Sequence, residues 1–382
     1  MKAIATTRRW VASLAAFALI ALAATFALEA TDPQVAEAQS NVRPPAGAVV
    51  QGDAGPQAGE VPGGSMGNLS DSEMWRSVRK GIRGTVSIPD KNAGQLVQSE
   101  GDSWRAMKNG PISTWGAIGL AGMILLLAIF FLIRGKIRVD HGMSGRTVER
   151  FADIERMGHW LLAVSFIILA ITGLNITYGK YFLLPVIGKG AFAAIAGVGK
   201  WLHNYVAFAF IAGLLMVFVM WVRHNLPDRY DIPWLLKGGG IFTKSHPEAR
   251  KFNAGQKIIF WSVILGGLSL VLSGISLLFP FQTSMFGDTF ALLNVFGLGL
   301  PTDMAPVQEM QLATAWHTIV ALVLIVIVIA HIYIGTIGME GAFDAMGSGE
   351  VDENWAKEHH SVWAKEVTKS RKRGKAKAAP AE

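Results

Sequence analysis

Five apolar runs, each long enough to cross a bilayer, constrain this chain more than any other feature. They cover Trp115–Ile133 and roughly 157–178, 201–222, 258–279 and 313–338. At about 1.5 Å per residue, about 20 such residues span the hydrocarbon core. The composition agrees. Of 382 residues, 51% are hydrophobic and 16% charged, where a soluble domain carries about 25% charge. An all-α integral membrane protein is the expected fold class. Two further apolar stretches are interrupted. Pro185 and Lys189 break 183–198, and Gly287 and Asp288 break 285–300. Both read as interfacial or re-entrant segments.

The N-terminus has the three parts of a secretory signal. Lys2, Arg8 and Arg9 precede an uncharged run from Trp10 to Leu28, and Ala36-Glu37-Ala38 supplies a small-residue exit. A signal peptide over 1–38 is expected, with a retained helix as the alternative. Residues 39–113 then read as an exported linker and docking segment. Its first part, 39–73, is rich in Pro, Gly, Ala and Gln, a flexible composition. Its second part, 74–110, mixes Trp75, Trp104, Arg76, Arg79, Arg83 and Arg105 with turn formers. Residues 114–134 form an extra transmembrane helix, 148–340 a transmembrane domain and 341–382 a basic tail.

The net charge is +7 and the pI about 9.5. In a membrane protein this bears on topology rather than on nucleic acid, because basic loops stay on the cytoplasmic side. Residues 280–312 contain no Lys or Arg, whereas 223–257 contain seven, and the tail from Lys369 to Lys377 holds six. The segments 134–156, 223–257 and the C-terminus are therefore expected inside. Residues 39–113, 179–200 and 280–312 are expected outside. Trp115, Trp160, Trp201, Trp221, Trp261 and Trp316 lie near span ends, as interfacial anchors facing membrane lipid do.

The chain has no cysteine, which excludes disulfides, thiolate nucleophiles and any iron–sulfur cluster of its own. A metal would need His, Met or carboxylates. Ionisable groups inside crossings are costly and mark function. Here they are almost only His159, His203, His317 and His331. His317 and His331 share one helix, fourteen residues apart. That spacing advances about 21 Å and returns to within about 40° of the same face. The topology puts His203 at the depth of His317 and His159 at the depth of His331. Two stacked haems with two axial imidazoles each need this arrangement. A zinc or di-metal site fits less well, since the pairs are far apart and lack carboxylates. His224 is the one substitute ligand for the inner pair. His141, His246, His359 and His360 read as solvated loop or tail residues. Gly158, Gly173, Gly213, Gly274 and Gly335 lie in crossings, where they serve either porphyrin approach or helix packing.

Several local motifs then carry a resemblance. Met157-Gly158-His159-Trp160, Arg223-His224-Asn225-Leu226-Pro227-Asp228, Asp231-Ile232-Pro233-Trp234-Leu235, Asn253-Ala254-Gly255-Gln256-Lys257, Trp316-His317 and Ala330-His331-Ile332-Tyr333 resemble the gamma subunit of respiratory formate dehydrogenase. The tail Asn354-Trp355-Ala356-Lys357-Glu358-His359-His360 is similar to that family too. The resemblance covers about 148–367, and the N-terminal extension looks like longer forms of the same subunit.

The resemblance implies a four-helix dihaem cytochrome b bundle, here with one extra N-terminal transmembrane helix. It implies two b haems held by His159, His203, His317 and His331. It implies an iron–sulfur beta subunit as electron donor outside, a molybdenum or tungsten catalytic alpha subunit, and a quinone acceptor at the inner face. The family's quinone-pocket asparagine matches Asn253; Gln256 and His331 are added by proximity. The location implied is the bacterial inner membrane, with the N-terminal segment periplasmic and the C-terminus cytoplasmic. Formate oxidation itself belongs to another chain. The cytochrome subunit of a hydrogenase or thiosulfate reductase is the nearest alternative, and a haem-free membrane anchor or transporter the alternative of a different class.

Overall fold

The computed structural model describes residues 84–85, 95–96, 101–241, 245–280 and 282–378. The expected signal peptide (1–38), the linker 39–73 and most of the segment 74–110 lie outside the described residues. The chain divides into two units, Met1–Met107 and Lys108–Glu382. In the first, β1 (Gly84–Thr85) pairs antiparallel with β2 (Gln95–Leu96), and α1 covers Gly101–Met107.

The second unit is a helical bundle with a polar cap at one end. A π turn at Lys108–Ile112 leads into α2 (Ser113–Arg134). Next come β3 (Thr147–Glu149), α3 (Asp153–Phe182) and α4 (Leu184–Trp221). The short α5 (Asp231–Leu236) precedes α6 (Ala254–Leu278), α7 (Met285–Asn294) and α8 (Pro306–Tyr333). A π turn (Ile334–Gly338), α9 (Asp344–Gly347), β4 (Glu350–Asp352), α10 (Glu353–His359) and α11 (Ser361–Ala378) complete it. Among the described residues five helices, α2, α3, α4, α6 and α8, are long and apolar enough to cross a membrane. The bundle is all-α, with large apolar side chains such as Leu132, Leu215, Leu265 and Val323 left exposed on its outer faces, as lipid contact requires.

The interrupted stretch 183–198 differs from expectation. Pro185 sits in a first helical turn, where its missing N–H costs nothing. Gly188 then takes φ 76°, a turn conformation that suits glycine. From Lys189 onward the stretch is simply the start of α4. The other interrupted stretch forms α7, whose first backbone amides, at Phe286 and Gly287, donate to the buried Glu309 carboxylate at 2.9 and 2.6 Å. This ties α7 to the start of α8.

Contacts give each helix its direction. Leu162 packs on Gly213 and Thr172 bonds His203: ten residues forward on α3 are ten back on α4. Likewise Gly266 meets Leu324 and Ser273 meets His317, so α6 and α8 are antiparallel. Gly116 meets Leu322 and Gly119 meets Val326, so α2 runs parallel to α8. The five helices therefore alternate in direction. Residues 134–153, 222–241, 245–253 and 338–378 gather at one end, the cap end. Residues 108–113, 182–189, 279–280 and 282–305 gather at the other.

The expected tail is an ordered part of the cap. β4 pairs antiparallel with β3, Val148 opposite Val351. Val148, Phe151, Trp221, Phe252, Val351, Trp355 and Trp363 form the buried core there. Arg150 is 4% exposed; its guanidinium lies 5.1–5.3 Å from the Phe151, Trp355 and Trp363 ring centres. Nη2 of that residue donates to the Lys251 carbonyl at 2.6 Å. Burial lowers its pKa to about 9.

The reading of His359 and His360 as solvated is corrected by this packing. His360 is 1% exposed, and its Nδ1 lies 2.7 Å from the Arg250 carbonyl. Because a carbonyl only accepts, this nitrogen donates. His359 has its Nε2 buried beside Trp355. His141 remains exposed while bonding Glu358 at 2.9 Å, and His246 bonds Asp140 at 2.9 Å. Sequence position alone suggested a tail; the aromatic residues interleaved with it bring it back onto the bundle.

Two predictions follow from this packing. A Cβ at Gly213 would lie 2.7 Å from the Leu162 backbone nitrogen and 2.8 Å from its Cα. Neither atom can move without shifting α3. Gly213→Ala is therefore expected to cost about 1–3 kcal/mol, read as a lowered midpoint of thermal unfolding in detergent; an unchanged midpoint would contradict the close packing. The second concerns pH. Burial lowers the His359 pKa from 6.5 to about 4 and pushes His360 down as well. The folded cap thus binds fewer protons than the unfolded chain. Its stability is complete above pH 6.5 and falls as pH drops toward 4. Proteolysis of the C-terminal segment should accelerate over that window.

Candidate functional site

Four imidazoles face one another in pairs inside the bundle. The His203 and His317 ring centres are 6.2 Å apart, those of His159 and His331 6.3 Å. The helix registers explain the match. Since Thr172 is level with His203, the thirteen residues from His159 to Thr172 separate the two pairs along α3. Fourteen separate His317 from His331 on α8. Both intervals correspond to about 20 Å. All four sequence-derived ligand candidates are therefore brought together, in the expected pairing.

The hydroxyl beside each far-end imidazole decides its tautomer. Thr172 Oγ1 lies 2.8 Å from His203 Nδ1 and donates to the Ile168 carbonyl at 2.8 Å. Ser273 Oγ lies 2.9 Å from His317 Nδ1 and donates to the Ser269 carbonyl at 2.9 Å. A hydroxyl has one proton, and in each case the helix carbonyl takes it. The hydroxyl accepts from Nδ1–H, and the Nε2 lone pair is left free. The next residue is glycine in both sockets. A Cβ at Gly173 would stand 3.4 Å from His203 Cε1, and one at Gly274 3.5 Å from His317 Cε1.

The cap-end pair is held differently. His159 packs against Trp160 and Trp221, with ring centres 5.3 and 6.4 Å away. Its Nδ1 is buried without a hydrogen-bond partner. His224 does not join this pair. It is exposed and lines a polar cleft of about 430 Å³ with Arg223, Asp228, Arg250, Lys251 and Glu366.

Two of the other glycines in the crossings serve packing. Gly213 abuts Leu162 and Gly158 abuts Met216 and Met220, while Gly335 meets nothing within 4 Å.

The loop motifs that carry the resemblance form one cluster at the cap end. Asn225 is 1% exposed, and its carbonyl accepts from Trp261 Nε1 at 2.9 Å. Buried Lys257 bonds Asp228 at 3.0 Å and Asp231 at 2.9 Å. Trp234 lies over Gly255, where a Cβ would come within 2.8 Å. Asn253 is the N-cap of α6, its side chain accepting from Gln256 N at 2.9 Å. Gln256 Oε1 in turn accepts from Asn253 N at 3.1 Å, a reciprocal capping box. In the register of α6 on α8, Asn253 lies about six residues beyond the level of His331, roughly 9 Å toward the cap.

Thr172 and Ser273 were missed by sequence reasoning. One signal for them existed: Thr172-Gly173 and Ser273-Gly274 place a hydroxyl residue before a glycine in two different apolar runs.

An iron ligated by two imidazole nitrogens at roughly 2 Å separates their ring centres by about 6 Å. Both histidine pairs meet that spacing. The donor set thus fits haem iron, and the fold and site together define a membrane cytochrome b. The family model for prokaryotic cytochrome b561 matches residues 150–349, and the chain belongs to that family, whose members carry haem b.

Its relatives narrow this further. The cytochrome b556(Fdn) subunit of nitrate-inducible formate dehydrogenase from Escherichia coli strain K12 is 26% identical over 231 residues, covering 59% of this chain and 94% of the relative. The cytochrome b556(fdo) subunit of formate dehydrogenase from the same organism is 29% identical over 226 residues, covering 59% and 95%. The formate dehydrogenase cytochrome b556 subunit of Haemophilus influenzae is 23% identical over 221 residues, covering 56% and 82%. The resemblance read from the motifs is borne out.

Proposed function

We propose that this chain is the cytochrome b subunit of a formate dehydrogenase. In this reading it passes electrons from a periplasmic iron–sulfur (beta) subunit through two b haems to membrane quinone at the cytoplasmic side. It is the electron-transfer and quinone-reducing part of an enzyme whose formate chemistry belongs to a molybdenum or tungsten (alpha) subunit. The carrying observation is the pair of facing imidazoles repeated at the same spacing about 20 Å apart.

His203 and His317 would hold one haem, and His159 and His331 the other. Bound there, the haems supply reversible one-electron acceptance. The protein supplies ligands of fixed tautomer and an apolar shell that excludes water. The cap end is the proposed cytoplasmic face of an inner-membrane protein. Seven basic residues in 223–257 and six in the C-terminal segment support that orientation. The quinone pocket is proposed near Asn253, Gln256 and His331. What supports it is their common location at the cap end, on α6 and α8. The names of the relatives favour formate dehydrogenase over hydrogenase or thiosulfate reductase as the parent complex.

The purified protein should give a b-type reduced-minus-oxidised spectrum; a featureless one would defeat the reading. His203→Ala and His317→Ala should each remove the same one of two haems, and His159→Ala and His331→Ala the other. Haem content and the residual spectrum of each variant test this. For Asn253, the cap and the pocket are separable. Asn253→Ser keeps an N-capping oxygen, so thermal stability should hold to within about 1 kcal/mol. Quinone reduction should fall if the carboxamide binds quinone. Unaltered quinone kinetics in that variant would leave Asn253 a cap only.

A further inference from the structure

The two imidazole pairs differ in one respect that bears on electron flow. Both far-end rings place Nδ1 against a hydroxyl, His203 against Thr172 at 2.8 Å and His317 against Ser273 at 2.9 Å; with Nε2 as the iron ligand, Nδ1 carries the proton and donates it there. At the cap end, His159 Nδ1 is buried with no partner. We infer that Thr172 and Ser273 are positioning residues that hold the far-end haem at a lower reduction potential than the cap-end haem. This rests on the proposed ligation of two haems by the four histidines.

The argument is one of ligand basicity. A hydrogen bond accepted from Nδ1–H pulls proton density off the ring and enriches Nε2 in electrons. A more electron-rich axial ligand favours the more positive, oxidised iron, so the potential falls; outer hydrogen bonds of this kind are one of the protein's levers on haem. The far end has two such bonds, each strengthened by its chain. The hydroxyl donates to a helix carbonyl while it accepts, and such relays polarise along their length. An unbonded His159 is the weaker donor. On this difference an electron moving from the far end to the cap end moves downhill. The hydroxyl–glycine pairs are in equivalent register on α3 and α6, which makes the effect a property of the bundle rather than of one side chain.

The test is redox potentiometry on the haem-loaded full-length protein, following the b-type absorbance band, with haem content measured in parallel. Thr172→Val and Ser273→Ala are each expected to keep two haems and raise one midpoint while leaving the other where it was. Thr172→Ser and Ser273→Thr, which keep the hydroxyl, should restore the native midpoint. Two haems with both midpoints unmoved would overturn the inference. So would movement of the haem that His159→Ala removes. If both hydroxyl deletions instead lose the far-end haem, the potential assignment fails and the hydroxyls are part of the socket only. Failure of the parent reading looks different: the unmodified protein would then contain no haem, or His317→Ala would retain both.

Discussion

Everything in the bundle is arranged around α8, which carries two imidazoles fourteen residues apart on one face. The groups that meet these imidazoles come from the neighbouring helices. α6 brings Ser273 against His317, α4 brings His203 opposite His317, and α3 brings both His159 opposite His331 and Thr172 against His203. The antiparallel registers are set where small residues let helices close on one another, as at Gly213 on Leu162 and Gly266 on Leu324. A register slip on either contact would unpair a histidine as well as a packing surface.

At the cap end a second principle operates. The segments joining the helices are polar and have to bury their own charges. They do so with internal partners: Lys257 between Asp228 and Asp231, Lys251 with Glu155, and Arg150 among three aromatic rings. The strand pair β3–β4 pins the C-terminal segment beside α3. Asp352 reinforces it, accepting from Gly145 N and Asn354 N at 2.8 Å. These hydrogen bonds hold its carboxyl below the usual carboxylate range. The result is a polar cap, bonded internally, at the end where the quinone pocket is proposed.

Much of the site was legible because its chemistry is sparse. In apolar runs with almost no other ionisable group, four histidines stand out, and helix rise converts their spacing into depth. Five crossings and their alternation were equally readable from length and charge. The misread elements share a cause. His359 and His360 occur in a hydrophilic stretch, so local composition suggested solvent, yet Trp355 and Trp363 on the same segment bury them against Arg150. Pro185 and Lys189 read as breakers of an apolar stretch, but a proline is harmless in a first turn and the break is confined to Gly188. Asn253 and Gln256 read as pocket residues, and in the folded chain they also cap α6.

The sequence by itself determined, among the described residues, five helices of crossing length, their alternation in direction and the spacing of the imidazoles along them. These depend on hydrophobic length, charge placement and a fixed rise per residue, all of which are local. Tertiary structure alone decided what the imidazoles bond to, because a hydroxyl on one helix meets a ring on another only through interhelical register. That register leaves Thr172 and Ser273 as acceptors at one pair and His159 Nδ1 without one at the other. It turns two chemically similar histidine pairs into two different sites.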